Sequence, residues 1–322
     1  MLYQKLGKTD LNVSQLCLGT MTMGWTADKE ASFAMMDHAF EHGINFFDTA
    51  DIYSFWADNN DGGVSEAWIG DWLTSRQVRD KIIIATKARG RMWDGPDGEG
   101  LSRQHLMRAV EDSLKRLQVE TIDLYQSHWP DENTPIEETL RAYEAMISQG
   151  KVRYIGCSNH TPSQLRDSLK TSARHNLPAY ESIQPHYNLV HRAEYENELM
   201  GLARDENLGV IPYSPLAGGF LTGKYKRSGE IPAQSRGYGN DRMKPYLNKE
   251  GFDIIDAMEN IAQSHDATIA QIALAWILAN PTVTSAIIGA NRVSQLNETI
   301  KTIVIKLSDA EKAQLDSLPS PT

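Results

Sequence analysis

Four residues stand where apolar runs give way to loops, and their types suit proton transfer to oxygen. Asp48 follows Ile44-Asn45-Phe46-Phe47, and Tyr53 comes five positions later. Lys87 ends the run that begins at Ile82, and His128 ends the one that begins at Thr121. Reducing a carbonyl requires a hydride at carbon and a proton at the developing alkoxide. A tyrosine hydroxyl can give that proton, although its ordinary pKa is about 10. Lys87 as a cation can stabilise phenolate, and Asp48 can hold the ammonium and limit the cost of burying it. A downward shift of about two to three units is therefore expected at Tyr53, worth roughly 3 to 4 kcal/mol. Neutral His128 can donate to the carbonyl oxygen and orient it. Singly, each residue has a plainer use: a capping aspartate, a snorkelling lysine, a satisfied histidine and a core tyrosine. Convergence on one rim would make the chemical use the stronger one.

That convergence depends on the elements that carry the four. Strand-like runs begin near residues 15, 45, 82, 122, 152, 182, 209 and 284, and a helix-length segment follows each. Eight such units predict a closed α/β structure, the (β/α)8 TIM barrel, in which the C-terminal strand ends hold the chemistry. Closing it sets strands two, three and four side by side. Residues 28–42 have helical spacing through Phe33, Met36, Ala39 and Phe40, stopped by Gly43. Trp68, Ile69 and Trp72 mark a helix face over about 65–74. Residues 2–6 and 11–13 flank Gly7-Lys8-Thr9-Asp10 as an N-terminal β-hairpin. Further helices are expected over 101–117, 136–149, 162–175, 195–206, 253–265, 269–279 and 293–303, with a last one from about 309. Residues 214–250, after strand seven, form a long loop without strong periodicity, and connections of that length are usually functional or mobile. Residues 89–100, RGRMWDGPDGEG, lack the spacing of a phosphate cradle and read as a surface or substrate loop. No composition break divides 1–322, so a single domain is expected. A doubly wound sheet is disfavoured because no GxGxxG follows the first strand.

The formal net charge of −10 opposes binding to nucleic acid or an anionic membrane, and neither partner is expected. The two cysteines, Cys17 and Cys157, offer no disulfide framework and point to a reducing cytoplasmic location. No run has the length of a membrane span, and the N-terminus lacks a signal-peptide core, so a soluble, unexported protein is expected.

The stretches GINFFDTADIY, IIIATK, DLYQSHWP, GKVRYIGCSN, YSPLAGGFLTGKY and IIGANRVSQLNE, in that order, resemble the aldo-keto reductase superfamily over nearly the whole chain. The resemblance implies Asp48, Tyr53, Lys87 and His128 as a catalytic tetrad and NADPH/NADP+ as cofactor. It implies Ser158, Asn159 and Gln184 on the nicotinamide carboxamide, which needs donors and an acceptor, with Tyr213 stacked on the ring. Ser214, Leu216, Gly218 and Lys224 fall where backbone donors and an ammonium could hold the pyrophosphate. Their segment is a candidate clamp over the nucleotide. Arg292 suits a 2′-phosphate, since its planar donors match phosphate geometry and a helix N-terminus favours the anion. Gly289, Asn291, Gln295 and Glu298 complete the expected cofactor set. Asn291 stands where Ser or Thr is frequent in the family, and Thr299 where Asn is.

Trp25, Trp56, Trp93 and Trp129 fall in expected rim loops, which suggests an aromatic pocket for apolar or ring-bearing carbonyl substrates. Tyr238, Arg236 and Tyr246 in the long connection are further candidates. The expected function is NADPH-dependent reduction of small aldehydes and ketones, with the reverse oxidation; monomer and homo-oligomer both stay open. No metal is expected, because His128, His186 and His191 are too scattered to meet a ligand pattern. An NADPH-binding regulatory subunit that senses redox state with little turnover is the alternative, as in a channel-associated branch of the superfamily.

Overall fold

Proline, glycine and the two-residue period of strands decide where this chain turns and which side chains face inward. The computed structural model describes residues 1–321 apart from 59, 230, 234, 236, 237, 239 and 240. An antiparallel hairpin comes first, β1 (Tyr3–Lys5) with β2 (Asn12–Ser14). Among the described residues, eight parallel strands follow: β3 (Leu16–Gly19), β4 (Phe46–Asp48), β5 (Ile83–Ala88), β6 (Ile122–Ser127), β7 (Val152–Ser158), β8 (Ser182–Gln184), β9 (Gly209–Val210) and β10 (Ala286–Gly289). They pair in the order β10-β3-β4-β5-β6-β7-β8-β9. Backbone bonds from Thr284 N–H to the Val210 carbonyl (2.8 Å) and from Ile287 N–H to the Pro212 carbonyl (3.0 Å) join the two ends. The sheet is thereby a (β/α)8 barrel, as the strand spacing anticipated.

The helices are α1 (Lys29–Glu41), α2 (Val64–Arg76), α3 (Arg103–Leu117), α4 (Ile136–Ser148), α5 (Pro162–His175), α6 (Met200–Asp205), α7 (Lys249–Ser264), α8 (Ile269–Leu278), α9 (Val293–Ile300) and α10 (Asp309–Asp316). Asp28 and Ser102 cap α1 and α3, and capping boxes open α5, α8 and α10. Helix α3 buries Leu106, Ala109, Val110, Leu114 and Leu117, a single stripe at three- and four-residue spacing.

Side chains of a strand alternate between its faces. Cys17, Phe46, Ala85, Leu124, Ile211 and Ile287 therefore fill the inside of the barrel, where Leu6, Leu11 and Val13 of the hairpin pack against them. Phe47 points outward onto Trp72 of α2, with ring centroids 5.4 Å apart. Two residues further along the inner series come polar groups: Asp48 after Phe46, Lys87 after Ala85, and Gln126 after Leu124.

Several expected boundaries move, each for a local reason. The runs 181–188 and 209–213 shorten to β8 and β9 because Pro185 and Pro212 have no N–H to give the ladder. Pairing resumes as a single bridge, His186 with Tyr213. The helix expected over 195–206 opens with a π turn at Tyr195–Leu199 before α6. Helix α7 starts at Lys249 rather than 253, because Asn248 caps it by accepting from the Gly251 N–H. The stretch expected to be helical to 303 leaves α9 at Ile300 and tightens into a 3-10 turn. Among the described residues no helix is long and apolar enough to cross a membrane.

Candidate active site

Lys87 Nζ is the hub of the barrel's C-terminal mouth. An ammonium has three protons to donate, and all three are placed: to Asp48 Oδ1 at 2.6 Å, the Thr49 carbonyl at 2.8 Å and Tyr53 Oη at 2.8 Å. Lysine and aspartate are both fully buried. The other aspartate oxygen accepts from Gln184 Nε2 at 2.9 Å and from Gln126 Nε2 at 3.2 Å. Since Tyr53 accepts from lysine, its own proton remains to be given elsewhere. His128 stands edge-on to Tyr53, centroids 5.8 Å apart. Asp48, Tyr53, Lys87 and His128, separated by up to 80 positions in sequence, are thus brought together.

Electrostatics here correct one expectation. Burial pushes the Tyr53 phenol up to about 12, against the opposing pull of the Lys87 charge, and the Asp48 carboxylate adds to the rise. The lowered pKa anticipated from the sequence is not found, because Asp48 offsets the lysine's charge and the phenol is dry. Tyr53 is held as an acid. Burial also opposes the charge on Lys87, but Asp48 first and then Tyr53 outweigh it and raise its pKa. Burial, then the charges of Lys87 and Arg89, hold His128 well below the usual imidazole range, so it is neutral.

The residues implied for the carboxamide lie beside the tetrad but are bonded to one another. Ser158 Oγ donates to the Gln184 carbonyl at 2.8 Å. Asn159, at φ 58°, donates to the His128 carbonyl at 2.9 Å and accepts from Tyr213 Oη at 2.8 Å. A carboxamide on Asn159 must exchange with these bonds. Gln184 turns its amino group to Asp48, which leaves its carbonyl oxygen to accept. Tyr213 stacks on His186 at 5.1 Å and 10°.

Beyond Tyr213 the backbone forms a cradle. Ser214, Ala217, Gly218 and Gly219 have φ of 54°, 48°, 63° and 97°, and the turn closes on itself, the Ala217 N–H giving to the Ser214 carbonyl at 2.9 Å and the Gly219 N–H to the Leu216 carbonyl at 2.8 Å. A Cβ at Gly219 would lie 2.7 Å from Lys224 Nζ, so a side chain there would fill the hollow. Leu216 directly precedes this turn. The hollow at Gly219 beside the Lys224 ammonium fits a phosphate group. After the neighbouring strand, Arg292 is exposed at the N-cap of α9, and Gly289 ends β10. Gln295 Oε1 accepts from the Asn291 N–H at 2.9 Å, Asn291 Oδ1 from Thr26 at 2.9 Å and Glu298 from Thr268 at 2.9 Å. Thr299, buried, bonds back to its own helix.

The rim tryptophans divide. Trp129 lies flat on His128 at 3.8 Å, and Trp25 meets Trp56 edge-on at 5.6 Å. Phe55, not anticipated as a wall residue, joins Trp56 at 5.5 Å. Trp93 is instead occupied by His105, stacked at 4.7 Å, and by the Arg108 guanidinium at 4.1 Å, so it anchors the 89–100 loop to α3. Tyr246 is buried against Phe220, Tyr238 is exposed, and Arg236 lies outside the described residues. Gln126, the Thr49 carbonyl and His186 were not anticipated. Gln126 could have been found, since it lies two residues before His128 on the same strand face.

The chain matches the family model described as aldo/keto reductase family over residues 15–319. It is 38% identical over 325 residues to the uncharacterized oxidoreductase YrpG of Bacillus subtilis (strain 168), covering 99% of this chain and 96% of that protein. A probable voltage-gated potassium channel subunit beta of Arabidopsis thaliana is 35% identical over 313 residues, covering 94% of this chain and 91% of its own. The L-glyceraldehyde 3-phosphate reductase of Escherichia coli (strain K12) is 34% identical over 325 residues, covering 98% of this chain and 92% of its own.

Proposed function

Because this chain belongs to the aldo/keto reductase family, we propose that it reduces aldehydes or ketones to alcohols with NADPH, and runs the reverse oxidation, at the Tyr53 centre. The observation that carries this reading is the committed lysine: all three Lys87 donors are spent, one of them on Tyr53, so the phenolic proton is the one available to a substrate oxygen. Bound at this rim, the reduced nicotinamide supplies a hydride to the carbonyl carbon. Tyr53 gives its proton to the oxygen, and Lys87, 2.8 Å away, stabilises the charge left on the phenol. His128 is neutral, so its ring N–H can donate to the same oxygen and orient the carbonyl before transfer. Ser158, Asn159, Gln184 and Tyr213 would hold the nicotinamide end, Ser214, Leu216, Gly218 and Lys224 the pyrophosphate, and Arg292 with Asn291 the 2′-phosphate.

The substrate is a small carbonyl compound, with Trp25, Phe55, Trp56 and Trp129 as its walls. Cys17 and Cys157 are buried and unpaired, which supports a reducing cytoplasmic setting. A single domain without nucleic-acid or membrane partners completes the proposal. A second reading is favoured by the relative named as a potassium channel subunit: an NADPH-holding regulatory subunit with little turnover. Following NADPH absorbance across a panel of aldehydes and ketones, in both directions, separates the two. Turnover supports the reductase, whereas tight NADPH binding without turnover on any member selects the regulatory subunit.

A further inference from the structure

We propose that Arg89 is a specificity-determining residue that receives an anionic group, carboxylate or phosphate, carried by the carbonyl substrate a few bonds from the reacting carbon. This rests on the reading of the Tyr53 centre as a carbonyl-reducing site. Along β5 the inner series runs Ile83, Ala85 and Lys87, and Arg89 is the next position in that alternation. The His128 backbone N–H donates to the Ala88 carbonyl at 3.0 Å, so Arg89 begins beside His128, whose imidazole feels the Arg89 charge. Its carbonyl accepts from the Gly100 N–H at 2.9 Å, which closes the loop behind it. Its φ of 149° lies in the region that side-chain-bearing residues avoid, a strain that concentrates at ligand sites.

The guanidinium is in no ion pair with a described residue. Arg91 pairs with Glu99, and Arg108 lies over Trp93. Arg89 makes no side-chain hydrogen bond or ion pair with any described residue, and its Nε is buried without an acceptor. Asp131 feels the Arg89 charge, but its oxygens accept from the Leu101 N–H, the Asn133 N–H and the Thr134 hydroxyl rather than from the guanidinium. A half-buried guanidinium whose buried Nε has no acceptor invites one. The planar guanidinium matches the two oxygens of a carboxylate or phosphate. Lys87, the other cation here, is spent on Asp48. An anion on Arg89 would set the substrate's carbonyl end toward His128 and Tyr53.

The test compares paired substrates with NADPH: glyceraldehyde 3-phosphate against glyceraldehyde, and succinic semialdehyde against butanal. The native chain should prefer the anionic member of at least one pair, and which pair shows it tells phosphate from carboxylate. Arg89→Met should lower kcat/KM for that member by about ten-fold or more, chiefly through KM, and leave the neutral member within about two-fold. Arg89→Lys, which keeps the charge and loses the fork, should fall between. Equal losses on both members, or no anionic preference in the native chain, would overturn the proposal. A second readout is calorimetric binding of glycerol 3-phosphate and of succinate to NADPH-saturated protein. If the native chain binds one of them and Arg89→Met does not, the proposal stands even where no carbonyl turns over. If both chains bind alike, or neither binds, it falls.

Discussion

Replacing Lys87 by Met removes the cation from the Asp48–Lys87 pair, and the structure sets the size of the effect. Both side chains are buried, 0% and 1% exposed. With the ammonium gone, Asp48 keeps only Gln184 at 2.9 Å and Gln126 at 3.2 Å. Removing one partner of a buried ion pair costs about 3–5 kcal/mol. With an unfolding entropy of about 2.1 cal/mol/K per residue, a chain of 322 residues loses roughly 1.5 °C of Tm per kcal/mol. Lys87→Met should therefore melt about 4–7 °C below the native chain by scanning calorimetry. Adding Asp48→Asn removes the stranded charge and should restore at least half of that loss, a strongly non-additive cycle. Activity should stay lost in the double variant, since the partner of Tyr53 is still missing. A Tm within about 1 °C of native for Lys87→Met, or losses that simply add, would refute the reasoning.

Other outcomes follow from the same geometry. Tyr53 is held near 12 and His128 below the imidazole range. Raising the pH removes the acid only near Tyr53's own value, and lowering it charges His128 only well below its ordinary 6.5. Single-turnover reduction should thus be flat from about pH 6 to 9, and a midpoint near 7 would contradict the assigned protonation states. Arg292→Ala should weaken NADPH binding by about ten-fold or more, the worth of one charge-assisted contact, and leave NADH nearly unchanged in fluorescence titrations; equal effects would reject the 2′-phosphate role. Limited proteolysis within 214–248 should slow when NADPH is added, and unchanged cutting would remove the clamp.

Much of this was legible in the sequence because strand ends are. Eight apolar runs, each followed by a helix-length segment, pointed to the barrel, and the three that end on Asp48, Lys87 and His128 pointed to where those side chains meet. What escaped depended on depth and on backbone detail. Burial outweighs the Lys87 charge at Tyr53, with Asp48 adding to the rise, and how dry the phenol is cannot be read from spacing. Arg89 sits in a glycine-rich loop of charged residues, where nothing in composition separates it from the paired Arg91. Trp93 and Trp129 look alike as rim tryptophans, yet one packs on α3 and the other on the His128 imidazole. Pro185 and Pro212 were visible and should have shortened β8 and β9.

The most direct test of the account is Tyr53→Phe, read by single-turnover reduction at saturating NADPH together with the Kd for NADPH. Loss of the phenolic proton should slow reduction by about 100-fold or more, with the nucleotide Kd within about two-fold of native. Reduction within a few-fold of the native rate, or a loss matched by lost nucleotide affinity, would contradict the claim that Tyr53 is the acid.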